Sequence, residues 1–479
     1  MTLRQQAVSG VKWSGISTGA VTVIQFGTLT VLSRLLSPSD FGLMGMIMVV
    51  IGFASAFADM GVSNAIIHRQ DATSDQLSSL YWLNIIAGVI IFLLICVSTP
   101  LVVGFYHEPR LSKLLYLAAL VFLITPLGQQ FQILLQKELK FDGLAKIEMT
   151  TTVLNAIVTI GAAFAGLGVY SLIWGQLVAT STRVALLCCN GWRQWRPSFR
   201  FSKQDIKGYM SFGFYQMGER TVNFLSANID YIIIGRILGP AALGFYTLAY
   251  QIAIFPLIKI NPVITRVMFP IFSKIQNDNN TFKIGYSKAI NYITLISFPM
   301  LAGMFVIAPE FVTLFLGEKW EPSITVLQIL CTIGAFKSLG NPIGAVLYAK
   351  GRADIGFYWN ILAMVLVGIA VIIGVNWGIN GVAIAILALQ LPMFFMIQPI
   401  VNGLIEMKMI QYLRLLKTPL ICSAVMLMGI IFLKAGMTNL DTPLIFTATV
   451  IGGTMIYVSV YYLMDKTTFR EVVSMIGGK

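Results

Sequence analysis

Long apolar stretches recur along the whole chain, and short polar segments separate them. A helix needs about 20 predominantly apolar residues to cross the hydrocarbon core of a bilayer. The pattern therefore predicts an all-α integral membrane protein with fourteen transmembrane spans. Their approximate bounds are 13–35, 41–58, 80–103, 114–135, 149–166, 169–189, 209–237, 241–270, 289–316, 323–349, 356–375, 379–401, 415–433 and 443–463.

The seventh span combines this length with polar residues at helical spacing. Glu219, Asn223, Ser226 and Asp230 follow i, i+4, i+7 and i+11, which places them on one face of a helix. A charge near the centre of a bilayer costs roughly 2.5–3.5 kcal/mol even on the milder insertion scales. We expect this face to line a hydrated cavity, because lipid would not accommodate it.

Composition agrees with a membrane protein and excludes an ordinary soluble globule. Hydrophobic residues make up 57% of the chain and charged residues 11%, whereas soluble domains carry about 25% charged residues. The five cysteines show no CxxC spacing, so neither a metal site nor a disulfide framework is predicted. The net charge of +13 is explained by basic loops on one side of the membrane, and no nucleic-acid partner is expected.

The distribution of Lys and Arg predicts the topology. With the N-terminus in the cytoplasm, the inside loops hold twenty-two basic residues and the outside loops four. Cytoplasmic loops are enriched in Lys and Arg. Both termini are therefore predicted to lie in the cytoplasm, in a multi-pass protein of a bacterial cytoplasmic membrane.

Two segments repeat without gaps at an offset of 202 residues. LSRLLSPSDFG (Leu32 to Gly42) aligns with IGRILGPAALG (Ile234 to Gly244), which pairs Arg34 with Arg236. Six spans separate them, so the repeats should have the same orientation and be related by an axis along the membrane normal. This predicts an N-lobe over 1–200, a C-lobe over 201–402, and an added region over 403–479 with spans thirteen and fourteen.

A basic linker, 190–208, joins the predicted lobes. It carries Trp192, Trp195 and Phe199 among its arginines. The linker fits either a surface helix or hinge on anionic lipid, or simple anchoring of basic and aromatic side chains at the interface.

At LSRLLSPSDFGLMGM and NIDYIIIGRILGPAALGFYTLAY the chain resembles the polysaccharide transporter family of the multidrug/oligosaccharidyl-lipid/polysaccharide (MOP) exporter superfamily. Within it, the colanic-acid and teichuronic-acid exporters are the most similar. The resemblance implies a MATE-like fold of two parallel six-helix lobes plus two C-terminal helices. It also implies a flippase that moves undecaprenyl-diphosphate-linked oligosaccharide by alternating access, for exopolysaccharide or lipopolysaccharide assembly. Membrane lipid and the polysaccharide polymerase or export machinery are the partners it suggests, with no cofactor.

Charged and polar residues in the spans are the candidate site. Basic side chains suit the diphosphate of the substrate, and amide side chains can form hydrogen bonds in the same cavity. The substrate-binding candidates are Arg220, Lys259, Arg266, Lys337, Asn223 and Gln25. The acids are Glu219, Asp230 and Asp59, and they could either neutralise the basic charge or couple a proton or sodium ion. Asp59 also fits a cap or loop residue near a helix end. Arg34 and Arg236 are assigned to an interface or gate, although snorkelling to head groups would also explain them. Structural ion pairs between helices remain an alternative for Glu219 and Arg220.

Two other functions compete with the flippase. A multidrug cation antiporter of the same fold would favour an acidic cavity, whereas these spans hold more basic than acidic residues. A membrane polysaccharide polymerase or glycosyltransferase would need a sizeable outer loop with catalytic residues, and the longest predicted outside loop has about ten residues (104–113). The flippase is therefore the favoured function, and no enzymatic activity is expected.

Overall fold

The computed structural model describes residues 3–58, 73–138, 140–199, 201–437, 440–466 and 468–471. These residues contain fifteen α-helices. The helices are α1 (Leu3–Leu35), α2 (Pro38–Ala58), α3 (Ser74–Tyr106), α4 (Leu111–Ala119), α5 (Val121–Lys137), α6 (Phe141–Phe164), α7 (Val169–Gly191), α8 (Lys203–Ile237), α9 (Gly239–Lys274), α10 (Asn279–Phe311), α11 (Ser323–Ala349), α12 (Ala353–Gly374), α13 (Gly378–Leu404), α14 (Met409–Gly436) and α15 (Thr442–Met464).

The predicted spans correspond to these helices one by one, except that the fourth span is divided into α4 and α5 at Leu120. Within the described residues, ten helical segments are long and apolar enough to cross a membrane. One of them, Ala353–Leu404, contains two spans, α12 and α13. The remaining spans are α1, α8 and α9, of 33, 35 and 36 residues. The predicted all-α membrane fold is confirmed.

Residues 1–244 form one compact unit, called unit 1 below. In it α6 packs on α1 and α7, α3 packs on α5, and α8 packs on α2 and α3. Gly175 of α7 lies against Thr159 of α6, and Gly88 of α3 lies against the backbone carbonyl of Phe122. Such small residues allow close helix packing where lipid supplies no hydrophobic drive between helices. Unit 1 includes α8, whereas the lobe boundary near residue 200 comes from the sequence repeat and stays a prediction.

The basic linker is fastened to the first turns of α3. The indole Nε1 of Trp82 donates to the carbonyl of Ser198 at 2.9 Å, and the Trp82 ring stacks on Phe199. Trp195 is 8% exposed and packs edge-on against Tyr81. Residues 192–199 form turns and irregular backbone, with no helix among them. This part of the linker therefore forms no surface helix and packs on α3 through its aromatic side chains, while its role as a hinge or an interface anchor stays a prediction.

Residues 245–479 form a second compact unit, unit 2. There α10 packs on α11, α11 packs on α13, and α12 packs on α13. The helices of the two added spans, α14 and α15, pack on each other and on α10. The Tyr457 hydroxyl of α15 donates to the carbonyl of Leu295 in α10 at 2.9 Å.

One ion pair joins α14 to α10. The Lys434 ammonium lies 2.8 Å from the Glu310 carboxylate and also donates to the carbonyl of Val306 at 2.7 Å. The two charged side chains are only 21% and 18% exposed. Removing one partner of a poorly hydrated pair destabilises the folded protein, because the other charge is then left without a counter-charge.

We therefore expect Lys434→Met to lower the unfolding free energy by roughly 1–3 kcal/mol. The double variant Lys434→Met/Glu310→Gln should recover most of this loss, because no uncompensated charge remains. Thermal unfolding of the purified protein measures both effects. The matched control is Lys140→Met, since Lys140 pairs with Glu138 at 2.7 Å in an exposed position and exposed pairs contribute about 0–1 kcal/mol. Equal losses in Lys434→Met and Lys140→Met would contradict the assignment.

Candidate functional site

The two repeated motifs lie against each other in unit 1. A β-carbon added at Gly42 would overlap the carbonyl oxygen of Pro240, and one added at Gly244 would overlap the carbonyl oxygen of Pro38. Because the offset between the motifs is 202, this contact is reciprocal: each glycine faces the proline of the other repeat. The starts of α2 and α9 are thus related by a local two-fold axis, and only glycine permits their approach.

Backbone conformation sets up this contact. Gly239 has φ of 81° between α8 and α9, a left-handed conformation that favours glycine. The turn before α2 is closed by Asp40, whose carboxylate accepts from the Ser37 backbone N–H at 2.9 Å and from its hydroxyl at 2.7 Å. We call this region, where α1, α3 and α8 end and α2, α4 and α9 begin, the Pro-turn end.

Arg236 links two helices at the Pro-turn end. Its guanidinium contacts Nδ1 of His107 at the end of α3 and lies 5.6 Å from the centre of the Phe105 ring. Its repeat partner Arg34 is exposed at the end of α1. Both candidates therefore lie at helix ends, and their assignment to an interface or gate stays a prediction. Sequence reasoning missed His107, because no spacing relates it to a residue 129 positions away.

A second arginine completes the Pro-turn end. Arg110 forms an ion pair with Glu108 at 2.8 Å and donates to the hydroxyl of Ser39 at 3.2 Å. The hydrogen bonds from Arg110 hold the pKa of Glu108 below its ordinary value. The loop after α3 is thereby tied to the turn before α2.

The middle of α8 carries the polar stripe. Because α8 is continuous from Lys203 to Ile237, the sequence spacing keeps its members on one face. Asn223 is exposed and Arg220 half-buried, whereas Asp230 is 6% exposed and accepts from the Tyr231 backbone N–H at 2.9 Å. The stripe thus changes from exposed to buried towards the Pro-turn end. Glu219 belongs to the same helix, and its side chain is outside the described part.

Gln25, the candidate of α1, is exposed. Eight residues earlier, the Ser17 hydroxyl donates to the Glu148 carboxylate of α6 at 3.5 Å. Glu148 was not among the sequence candidates; it stands at the edge of the fifth predicted span, where an acid resembles a loop residue. The structure thus places an acidic residue, Glu148, beside α1 at Ser17.

Lys337 is the described basic candidate of unit 2. It is exposed on α11, its ammonium donates to the Tyr250 hydroxyl at 2.8 Å, and it lies 4.8 Å from the centre of that ring. Tyr250 of α9 in turn stacks on Tyr246. Phenol oxygen and ring face both favour a cation, and neither neutralises it as a carboxylate would. Tyr250 had no signal in the sequence, since 87 residues separate it from Lys337.

The remaining candidates have no described side chain. Lys259 and Arg266 lie on α9, and only their helical backbone is described. Asp59 lies outside the described residues. Arg220, Asn223 and Asp230 belong to unit 1 and Lys337 to unit 2, so a single charged cavity shared by all candidates stays a prediction.

The chain is similar to proteins of polysaccharide biosynthesis. Residues 31–325 match the family described as "Polysaccharide biosynthesis protein". The teichuronic acid biosynthesis protein TuaB of Bacillus subtilis (strain 168) is 40% identical over 377 residues, which cover 79% of this chain and 78% of that protein. The lipopolysaccharide biosynthesis protein WzxC of Escherichia coli (strain K12) is 35% identical over 409 residues, covering 84% and 83%.

Two solved structures share the fold. The lipid II flippase MurJ in an inward closed conformation matches with a TM-score of 0.77 at 14% identity, over 95% of this chain and 99% of that chain. An inward-facing multidrug resistance MATE family transporter of the MOP superfamily matches with a TM-score of 0.63 at 17% identity, over 80% and 95%. The MATE-like fold expected from the sequence is confirmed.

The reciprocal glycine contact generates a prediction. Gly42→Ala and Gly244→Ala should each lower the unfolding free energy by about 1–3 kcal/mol, because the added methyl group forces two backbones apart. Gly104→Ala is the control, since nothing lies within 4 Å of a β-carbon added there and alanine favours a helix. Thermal unfolding of the three purified variants measures the difference. Unchanged midpoints for Gly42→Ala and Gly244→Ala would refute the contact.

Proposed function

Because this chain belongs to the family of polysaccharide biosynthesis proteins, we propose that it is a flippase that moves lipid-linked oligosaccharide across the bacterial cytoplasmic membrane. The observation that carries the proposal is the similarity to TuaB, which extends over more than three quarters of both chains. The fold agrees with it, since the chain is a multi-pass helical protein of the MOP exporter superfamily and matches a lipid II flippase over almost its whole length.

The relatives' names and the charges of the spans support a substrate class. Teichuronic acid and lipopolysaccharide are the polymers named for the two relatives. We assign the substrate as an oligosaccharide on an undecaprenyl diphosphate, carried from the cytoplasmic to the outer leaflet. A diphosphate head is bound well by cationic side chains, and an exposed lysine whose ammonium is oriented by a phenol is suited to that purpose. Lys337 beside Tyr250 meets this requirement, and Arg220 is the corresponding candidate of unit 1.

Orientation and coupling complete the proposal. We place both termini in the cytoplasm, because the basic loops would then lie on that side. The Pro-turn end, with Arg34 and Arg236, then faces outwards and would open for release. The buried carboxyl group of Asp230 is our candidate for coupling to a proton or sodium ion, because it lies on the same face of α8 as Asn223. Glu219 and Asp59 are the other acids that we propose for coupling. The polysaccharide polymerase or export machinery would receive the transported oligosaccharide.

A multidrug antiporter is less well supported. The described candidate of unit 2, Lys337, is a cation beside the Tyr250 ring, and it would repel a cationic drug. The relatives are named for polysaccharide biosynthesis, not for drug resistance.

Transport in proteoliposomes tests the function. A fluorescent undecaprenyl-diphosphate oligosaccharide should become accessible to an external quencher only when the protein is present. Lys337→Ala and Arg220→Ala should each slow this step about 10- to 100-fold, because a charge-assisted hydrogen bond contributes about 1.5–3 kcal/mol. Tyr250→Phe, which removes only the hydroxyl group, should have a smaller effect.

The controls separate function from folding. Lys140→Ala removes a basic residue of a predicted loop and should leave transport unchanged. Each variant is compared at equal protein level and equal thermal stability. Full transport by Arg220→Ala, Lys259→Ala and Lys337→Ala alike would show that the diphosphate is bound elsewhere. Absence of transport by the unaltered protein with every lipid-linked oligosaccharide tested would overturn the flippase.

A further inference from the structure

A basic cavity lies between the first turns of α10 and α14 in unit 2. Its volume is about 390 Å³, within the range of about 300–1,000 Å³ typical of small-ligand sites. Its polar lining comes from Lys283, Ser287, Lys288, Asn291, Gln411 and Arg414. Both helices are candidate membrane spans, so the cavity opens where their polar first turns meet the apolar parts. None of its side chains belongs to the candidate substrate site.

The charge of the cavity favours an anion. Three of its lining side chains are cations and none is a carboxylate. The ammonium of Lys283 donates to the backbone carbonyl of Glu406 at 3.2 Å, while the carboxylate of Glu406 accepts from Asn279 at 2.8 Å. Within the part of the chain that the structure describes, the Arg414 guanidinium has neither a hydrogen bond nor an ion pair, and it is exposed. A planar guanidinium presents paired donors to phosphate oxygens.

One acid already competes for this cavity. The carboxylate of Glu471 lies 3.3 Å from the Lys288 ammonium, in a pair about half exposed on both sides, and it accepts from the Tyr292 hydroxyl at 3.1 Å. Exposed pairs of this kind contribute about 0–1 kcal/mol. A phosphodiester, whose negative charge is shared by two oxygens, would also contact the two further cations of the cavity and would thus displace Glu471 from Lys288.

The next turns of the same helices indicate the source of the phosphate. A second cavity of about 390 Å³ lies along α10, α14 and α15, and its lining includes Met300, Met304, Ile430 and Val450. It begins at Leu295, only four residues and about 6 Å along α10 from Asn291. Free phosphate would gain nothing from an adjacent apolar cavity. A phospholipid, in contrast, needs a basic site for its head group and an apolar site for its acyl chains.

We propose that the α10–α14 cavity binds the phosphate head group of an anionic membrane phospholipid, with Lys283, Lys288 and Arg414 as the binding cations and Glu471 as the displaceable competitor. Basic pockets between transmembrane helices at a membrane surface recognise lipid head groups by this chemistry. The proposal involves none of the candidate substrate-binding residues, so it does not depend on the flippase function.

Binding of fluorescent phosphatidylglycerol to the purified protein in phosphatidylcholine nanodiscs tests it. Lys283→Gln and Arg414→Gln should each weaken binding about five-fold. This is the loss of affinity expected when one basic residue near a membrane surface is removed. Glu471→Gln should strengthen binding, because the competing charge is gone; a purely structural role of these residues would not produce this gain. Lys274→Gln, an exposed lysine that does not line the cavity, is the matched control and should bind as the unaltered protein does.

Two competitors identify the source of the phosphate. Inorganic phosphate should displace phosphatidylglycerol poorly, and undecaprenyl diphosphate should bind equally well to the unaltered protein and to Arg414→Gln. Equal affinities in Lys283→Gln, Arg414→Gln and Lys274→Gln would overturn the site. Efficient displacement by inorganic phosphate would overturn the lipid, and selective loss of undecaprenyl diphosphate in Arg414→Gln would assign the cavity to the transported substrate instead. A Glu471→Gln variant that binds no more tightly would contradict the role given to Glu471.

Discussion

The reciprocal approach of Gly42 to Pro240 and of Gly244 to Pro38 is the contact on which the arrangement of unit 1 depends. It brings the start of α2 to the start of α9 without any side chain between the backbones, next to the left-handed Gly239 between α8 and α9. The rest of α8 then follows α2, where the Phe224 ring lies against Gly52. Since the polar stripe belongs to α8, a contact between backbones at one end determines where these polar side chains stand.

Charged side chains in the spans have different surroundings, and these surroundings separate their roles. Lys434 is mostly buried and paired with Glu310, an arrangement that holds α14 on α10. Lys337 is exposed, and its ammonium donates to the neutral hydroxyl of Tyr250. A carboxylate neutralises an ammonium ion, whereas a phenol orients it and leaves its charge. Lys434 is therefore a structural residue, whereas Lys337 is the candidate that we propose for binding an anion.

The added helix α14 contacts α10 at both of its ends. Near the end of α14 the Lys434–Glu310 pair joins the two helices. Near its start α14 and α10 enclose the basic cavity that includes Arg414. A lipid head group bound there would link the two helices as the ion pair does.

The sequence by itself determined the fourteen spans, the pair of repeated motifs and the polar stripe of α8, because these depend on local properties: the length of an apolar segment, the period of a helix and the turn chemistry of Pro and Gly. It also indicated Lys337 and Arg236 as candidates, since a charge in an apolar span is conspicuous. Only the tertiary structure decided their partners. Tyr250 and His107 lie 87 and 129 residues from the residues they contact, and Gly42 meets Pro240 across 198 positions. The basic cavity, likewise, combines Lys283 with Arg414. No periodicity relates such positions, because their meeting depends on how whole helices pack.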